Sequence, residues 1–344
     1  MTDGGVLLAT LTTLRVGGPA GSYVRATSER ELVDAVADCD SRGEPVLLLG
    51  GGSNLLVSDA GFPGTVVHIR TRGIDIVSED DDHVEVEVAA GENWDDFVAQ
   101  ATVRGWSGLE ALSGIPGLVG ATPVQNVGAY GAEVATSISA VRVWDRATAS
   151  VGYMAPDECG FGYRTSVFKQ DPGRRVVLSV RFRLRVAVTG PGVAYPELAG
   201  RLGVELGDAA AAADVRRAVL AIRATKGMVL DVADKDTWSA GSFFTNPILT
   251  AAQARMLPTD APRWQVGDHV KTSAAWLIQA AGYGKGYGNE RAGLSHKHVL
   301  ALTNRGTATA ADLVALATTV RDGVRDRFGV ELVPEVNLVG TALG

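Results

Sequence analysis

A chain of 344 residues with 46% hydrophobic content can bury a large core, and its length points to two or three domains. A net charge of −7 disfavours a protein that tracks a nucleic-acid backbone, which needs a surplus of Lys and Arg to displace counterions. Cys39 and Cys159 stand far apart, and the histidines include a single close pair, His296 and His298, so neither a disulfide framework nor a metal site is suggested. Met1 to Leu14 has no basic start and no sustained apolar run, and no segment approaches the ~18 apolar residues of a membrane span, which points to the cytoplasm.

In chain order, the first element is a helix from Ser28, with Glu31 three residues on as a capping box and Leu32, Val33, Val36 and Ala37 on one face. It runs into Val46 to Leu49, a short apolar strand that ends in three glycines. Two further strands follow at 65–69 and 83–90, then a helix carrying Trp94, Phe97, Val98 and Ala101 at i, i+3, i+4 and i+7. Between Gly105 and Gly131 no period is visible, yet Ile115, Leu118, Val119, Val124, Val127 and Tyr130 argue against disorder. An ordered, glycine-rich loop of this length suits a close-fitting ligand.

Residues 175–186 alternate Val176, Leu178, Val180, Phe182, Leu184 and Val186 with Arg181, Arg183 and Arg185, a half-buried strand whose arginines read as a solvated outer face. Val215, Ala218, Val219 and Ile222 mark another helix, and a change in composition near Ala224 marks a domain boundary. Helices over Thr272 to Ala281 and Thr309 to Phe328 follow, and VELVPEVNLVG closes the chain as a strand.

The loop GGGSNLLV, Gly50 to Val57, is a plausible phosphate cradle, since glycines let several backbone N–H groups converge on an anion. It is neither GxGxxG nor GxxxxGKS, so alone it reads equally as a turn. The second glycine-rich loop, about 60 residues on, changes that balance, because two such loops can grip a dinucleotide from both sides. Arg164, beside Tyr163 in FGYRTSVFK, is a candidate fork for a carboxylate or a surface arginine. Ser242 alone reads as a turn residue, and Glu335 as a strand-edge carboxylate.

GGGSNLLV, IPGLVGATPVQNVGAYGAEV, FGYRTSVFK, SAGSFFTNP and the terminal PEV, in this order and at these distances, resemble the UDP-N-acetylenolpyruvoylglucosamine reductase family across nearly the whole chain. The resemblance implies an α+β protein: a two-part FAD-binding scaffold of the vanillyl-alcohol-oxidase type and a separate α+β substrate-binding domain. It places the FAD-binding parts at 1–70 and 71–223, the latter joined by the C-terminal strand 331–344, and the substrate domain at 224–330. It further implies NADPH-dependent, FAD-mediated reduction of UDP-N-acetylenolpyruvoylglucosamine to UDP-N-acetylmuramate in peptidoglycan precursor synthesis. Hydride would pass from flavin to enolpyruvyl carbon 3, and a proton from Ser242 to carbon 2.

On the same resemblance, FAD is held by Gly50, Gly51, Gly52, Ser53, Asn54 and Leu55 of the first loop. The second loop adds Gly114, Ile115, Pro116, Gly120, Ala121, Thr122, Gln125, Asn126, Gly128, Ala129 and Tyr130. Arg164 holds the enolpyruvyl carboxylate, Glu335 opposes it, Tyr163 closes over the sugar nucleotide, and Tyr195 matches a tyrosine on a mobile loop that reaches the diphosphate. Asn246, Arg223, Lys226 and Lys271 suit the same anion, Lys226 less securely because the stretch between it and Ser242 is long for the family. A monomer acting on small molecules alone is expected, without nucleic acid, membrane or metal. The rival readings are an FAD-linked oxidase, which often tethers flavin through a His or Cys absent from both loops, and a non-catalytic flavin or sugar-nucleotide sensor, which would not need Arg164, Ser242 and Glu335 together.

Overall fold

The computed structural model describes residues 5–344. They form two compact units, the first comprising Gly5, Ala20–Gly51 and Pro63–Thr225, the second Val6–Pro19, Gly52–Phe62 and Lys226–Gly344. The chain thus leaves the first unit for the second between Gly51 and Gly52, inside the first glycine loop.

In the first unit a small sheet orders the strands Ala20–Ala26, Phe62–Ile69 and Val46–Leu49, the last two parallel. Helix α1 (Glu29–Ser41) lies on it and buries Leu32 and Val36 with Ala26 and Val67. Its Ser28 caps as expected, accepting from the Glu31 N–H. The Glu31 carboxylate reaches back to accept from the N–H and hydroxyl of Thr27. A larger antiparallel sheet orders Ser150–Met154, Ile138–Asp145, Arg175–Val186, His83–Ala89 and Ile74–Glu79. Val84, Val86 and Val88 alternate inward and meet α2 (Trp94–Val103), whose Trp94 and Phe97 pack on Phe182 at ring-centroid separations of 6.0 and 5.2 Å.

The strand Arg175–Val186 departs from the expected simple alternation. Its pairing with Ile138–Asp145 skips Leu178, a bulge that re-phases the side chains. Val176 and Leu178 therefore pack under α1, whereas Val180, Phe182 and Leu184 pack under α2. Arg183 and Arg185 are exposed as expected, and Arg181 pairs with Glu87 at 2.8 Å. After α3 (Val167–Gln170), helices α4 (Pro196–Leu202) and α5 (Ala212–Thr225) pack together through Leu198, Ala199, Val215, Ala218, Val219 and Ile222.

In the second unit α6 (Ala251–Met256) and α7 (Ala274–Ala280) flank a sheet ordered Ile248–Thr250, His269–Thr272, Arg263–Val266. Helix α8 (Ala310–Phe328) supplies Leu313, Ala317, Val320 and Val324 to a core with Leu277, Ile278, Phe243 and Phe244. Thr309 and Asp312 make a full capping box at its start, Asp59 accepts from the Ala310 and Ala311 N–H groups, and Gly329 at φ 64° ends it. The terminal strand Asn337–Val339 was expected beside residues 71–223; it pairs instead with Leu55–Val57, parallel, in the second unit.

Candidate active site

The strand Val46–Leu49 delivers Gly50 and Gly51 against the second glycine loop. A Cβ on Gly51 would stand 2.8 Å from the Gly117 Cα, closer than real Cβ atoms come, and the Leu118 side chain lies 3.7 Å from the Cβ position of Gly50. Only glycine permits this approach, which leaves two stretches of bare backbone side by side.

Gly114 to Gly120 are fixed from one side: Trp94 N–H donates to Gly117 O at 3.1 Å, Val119 N–H to Glu92 O and Gly120 N–H to Ala90 O at 2.9 Å, and Gly114 N–H to the Asp95 carboxylate at 2.6 Å. The remainder of the loop is held by its own polar groups. Asn126, 1% exposed, accepts from Ala135 N–H at 3.1 Å and donates to Glu133 and to Gly162 O at 3.1 and 3.2 Å. The Thr122 hydroxyl donates to Val119 O at 2.8 Å. The side chains of both residues thus serve the shape of the loop.

Arg164 occupies a two-residue reversal in which Gly162 and Thr165 exchange backbone hydrogen bonds at 3.1 and 3.3 Å. Its φ of 54° is a left-handed conformation normally left to glycine. Its Nη2 donates to Gly128 O at 2.7 Å, Nη1 stands 3.5 Å from Asn126 O, and the guanidinium lies 5.6 Å from the Tyr163 ring centroid. Tyr130, Tyr195 and Arg223 also meet in the first unit. The two rings pack edge to face at 5.5 Å, and the Arg223 guanidinium donates to the Tyr130 hydroxyl. Burial pushes the Tyr130 phenol up and Arg223 below its ordinary value, with Tyr130 and Asp95 opposing the latter shift.

In the second unit an antiparallel bridge pairs Phe244 with Pro334. Glu335 N–H donates to Phe243 O at 2.8 Å, and Thr245 N–H to Val333 O at 3.0 Å. Phe243 and Phe244, each 1% exposed and 5.0 Å apart, anchor this rung in the core, so Ser242 and Glu335 emerge half-buried beside each other's strand. The first loop joins here: Asn54 Nδ2 donates to Glu335 O at 3.2 Å, and Asn337 N–H to Asn54 O at 3.0 Å. Gly52 is required at φ 62°, where a Cβ would lie 1.9 Å from Leu11 O.

Asn246 accepts from Ala274 N–H at 3.0 Å, and Lys271 sits opposite Ile248, so the two share one corner of the small sheet. Lys226 opens the long segment that departs from the family pattern. That segment folds back on Thr237, whose hydroxyl accepts from Asp231 N–H at 3.0 Å, and is tied down by ion pairing of Asp234 with Lys297.

Residues 20–151 match an FAD binding domain, and residues 233–339 match the C-terminal domain of UDP-N-acetylenolpyruvoylglucosamine reductase. The chain is 54% identical, over 98% of its length and 90% of the relative's, to UDP-N-acetylenolpyruvoylglucosamine reductase of Cutibacterium acnes. The chain belongs to this reductase family. The Salinispora arenicola reductase is 53% identical over 98% of this chain and 95% of that one. A crystal structure of UDP-N-acetylenolpyruvylglucosamine reductase from Thermus caldophilus aligns over 98% of this chain and all of its own, with a TM-score of 0.67 and 27% identity.

As a member of this family the chain is an FAD-dependent oxidoreductase, and the bare backbone where Gly51 meets Gly117 fits a bound dinucleotide. Among the described residues no helix is long and apolar enough to cross a membrane. The sequence reading passed over Asp95 and Glu133, which shape the second loop, and His68, which shares a 2.7 Å hydrogen bond with the Tyr23 hydroxyl and lies on the strand paired with Val46–Leu49. No local signal marks them, because each acts on a partner distant in sequence.

Proposed function

We propose that the chain reduces UDP-N-acetylenolpyruvoylglucosamine to UDP-N-acetylmuramate with NADPH as the reductant, a reading supported by its near-full-length kinship to reductases of that name. The observation that supports the chemistry is the rung between Phe243 O and Glu335 N–H, because it ties the strand of Ser242 to the strand of Glu335 on buried anchors. FAD, held by the two glycine loops, would supply the redox chemistry, hydride transfer from NADPH to enolpyruvyl carbon 3.

Arg164, anchored through Gly128 O, binds the enolpyruvyl carboxylate in the plane of its guanidinium and stabilises the charge that develops there. Ser242 holds the proton that goes to carbon 2. A serine hydroxyl is a weak acid, so this role needs a shielded site and a partner that stabilises the alkoxide it leaves behind, while Glu335 acts with Arg164 on the substrate carboxylate and the enolate-like charge that follows hydride transfer. Tyr195 and Arg223 offer a hydroxyl and a cation suited to a diphosphate, and Asn246 and Lys271 offer an amide and an ammonium suited to such an anion.

Purified protein tests the reading. Acid precipitation is expected to release yellow FAD into the supernatant, anaerobic NADPH to bleach the native protein, and the enolpyruvyl substrate to restore its colour. A colourless protein that cannot be reconstituted, colour retained in the pellet, or bleached protein unresponsive to the substrate contradicts it.

A further inference from the structure

Asp95 lies in the first turn of α2, where the helix cap is already supplied by Asn93. Its carboxylate is turned elsewhere. One oxygen accepts from the Gly114 N–H at 2.6 Å, and both accept from Arg216 of α5, at 2.5 and 2.9 Å, in a two-pronged pair. Side-chain exposure of 17% for Arg216 and 31% for Asp95 shields the pair, so it is stronger than a surface ion pair. Seven residues along the same helix, two turns and hence on the same face, Arg223 donates to Tyr130. One helix is thereby fastened to the start of the second glycine loop through Arg216 and to its end through Arg223.

We propose that Asp95 and Arg216 are positioning residues that clasp α5 to the loop of residues 114–131, holding its backbone in the shape that receives FAD and setting Arg223 beside it. The proposal rests on the reading that this loop binds FAD. It adds that the affinity for FAD depends on a side-chain pair that need not touch the cofactor. Gly114 begins the stretch ending at Gly117, the residue against which Gly51 rests, so a loosened Asp95 displaces the cradle at its narrowest point.

The test measures FAD binding to apoprotein by flavin fluorescence quenching, beside the apoprotein's thermal midpoint, for wild type, Asp95→Ala, Arg216→Ala and the double variant. Each single variant is expected to bind FAD about tenfold more weakly, with the double variant no weaker than the worse single. Asp95→Asn keeps an oxygen for the Gly114 N–H but sets an amide N–H against Arg216, so it is expected to weaken FAD binding about as much as Arg216→Ala. Folded variants that bind FAD within about twofold of wild type overturn the proposal, as do losses that multiply in the double variant; a purely structural pair would lower the thermal midpoint and leave affinity unchanged. If the alanine variants do not fold, Asp95→Asn and Arg216→Lys carry the same comparison. Wild-type apoprotein that takes up no FAD would instead overturn the flavin reading itself.

Discussion

Arg164 carries strain that its neighbours hold in place. Its φ of 54° is accompanied in the same unit by Asn126 at 45° and Tyr130 at 51°, and all three belong to one loop-and-turn cluster. Non-glycine residues in this region each cost roughly 1–3 kcal/mol, and such outliers concentrate where geometry is held for function. The strain gives a test separate from activity. Arg164→Ala and Arg164→Gly both remove the guanidinium and are both expected to weaken substrate binding severely, but glycine relieves the backbone. Denaturant unfolding should therefore find Arg164→Gly more stable than Arg164→Ala by about 1 kcal/mol, the reverse of the usual ranking. Equal stabilities would mean that the turn is not strained. Nothing in FGYRTSVFK signals a left-handed arginine; the motif identifies the residue through resemblance, while its conformation is set by Gly128 O and Asn126 O, far away in sequence. Asp95 was illegible for the same reason, because in the chain it reads as an ordinary acidic residue of a helix's first turn.

Elements whose burial is local were the most legible. The i, i+3, i+4, i+7 spacing of Trp94, Phe97, Val98 and Ala101 yields four side chains at 1% exposure or less, and Val84, Val86 and Val88 lie inward at 0%. Where a strand faces two cores in turn, period-two reading fails, and the bulge at Leu178 is visible only once its partners are known. The small sheet of the first unit hides a similar pairing. His68, on Phe62–Ile69, shares a hydrogen bond with the Tyr23 hydroxyl of the neighbouring strand, and burial, with Arg70 and Arg25 adding to it and the Gly50 backbone opposing, drives its pKa down to about 4.

The unfolded chain takes up a proton at His68 below pH 6.5, the ordinary value, which the fold refuses until about pH 4. The stability owed to the neutral ring is therefore complete above pH 6.5 and is lost as pH falls toward 4, a span of about 3 kcal/mol. Urea unfolding from about pH 7 to about pH 4.5 should show the wild type losing stability faster than His68→Gln. Parallel curves would show that His68 is not held neutral.

At the scale of the whole molecule, the division of the chain passes through GGGSNLLV. Gly50 and Gly51 rest against the second glycine loop, whereas Gly52 onward runs with the terminal strand and leads to Glu335. The sequence revealed the loop and its glycines but not why three are needed in a row. Gly51 is demanded by the approach of Gly117, and Gly52 by Leu11 O and its own positive φ. The same long-range pairing ties Glu335 N–H to Phe243 O across 92 residues of chain, next to Ser242 in sequence.

Ser242 as the proton donor is the centre of the account, and Ser242→Ala tests it most directly when the two halves of turnover are followed separately by rapid-mixing absorbance at the flavin band. Bleaching by NADPH requires no proton at carbon 2 and is expected at close to the wild-type rate. Return of colour on adding the enolpyruvyl substrate is expected to slow by about a hundredfold to ten-thousandfold, the range of a lost general acid. If Ser242→Ala regains its colour at nearly the wild-type rate, or slows both halves equally, Ser242 is not the proton donor and the mechanism fails at its central step.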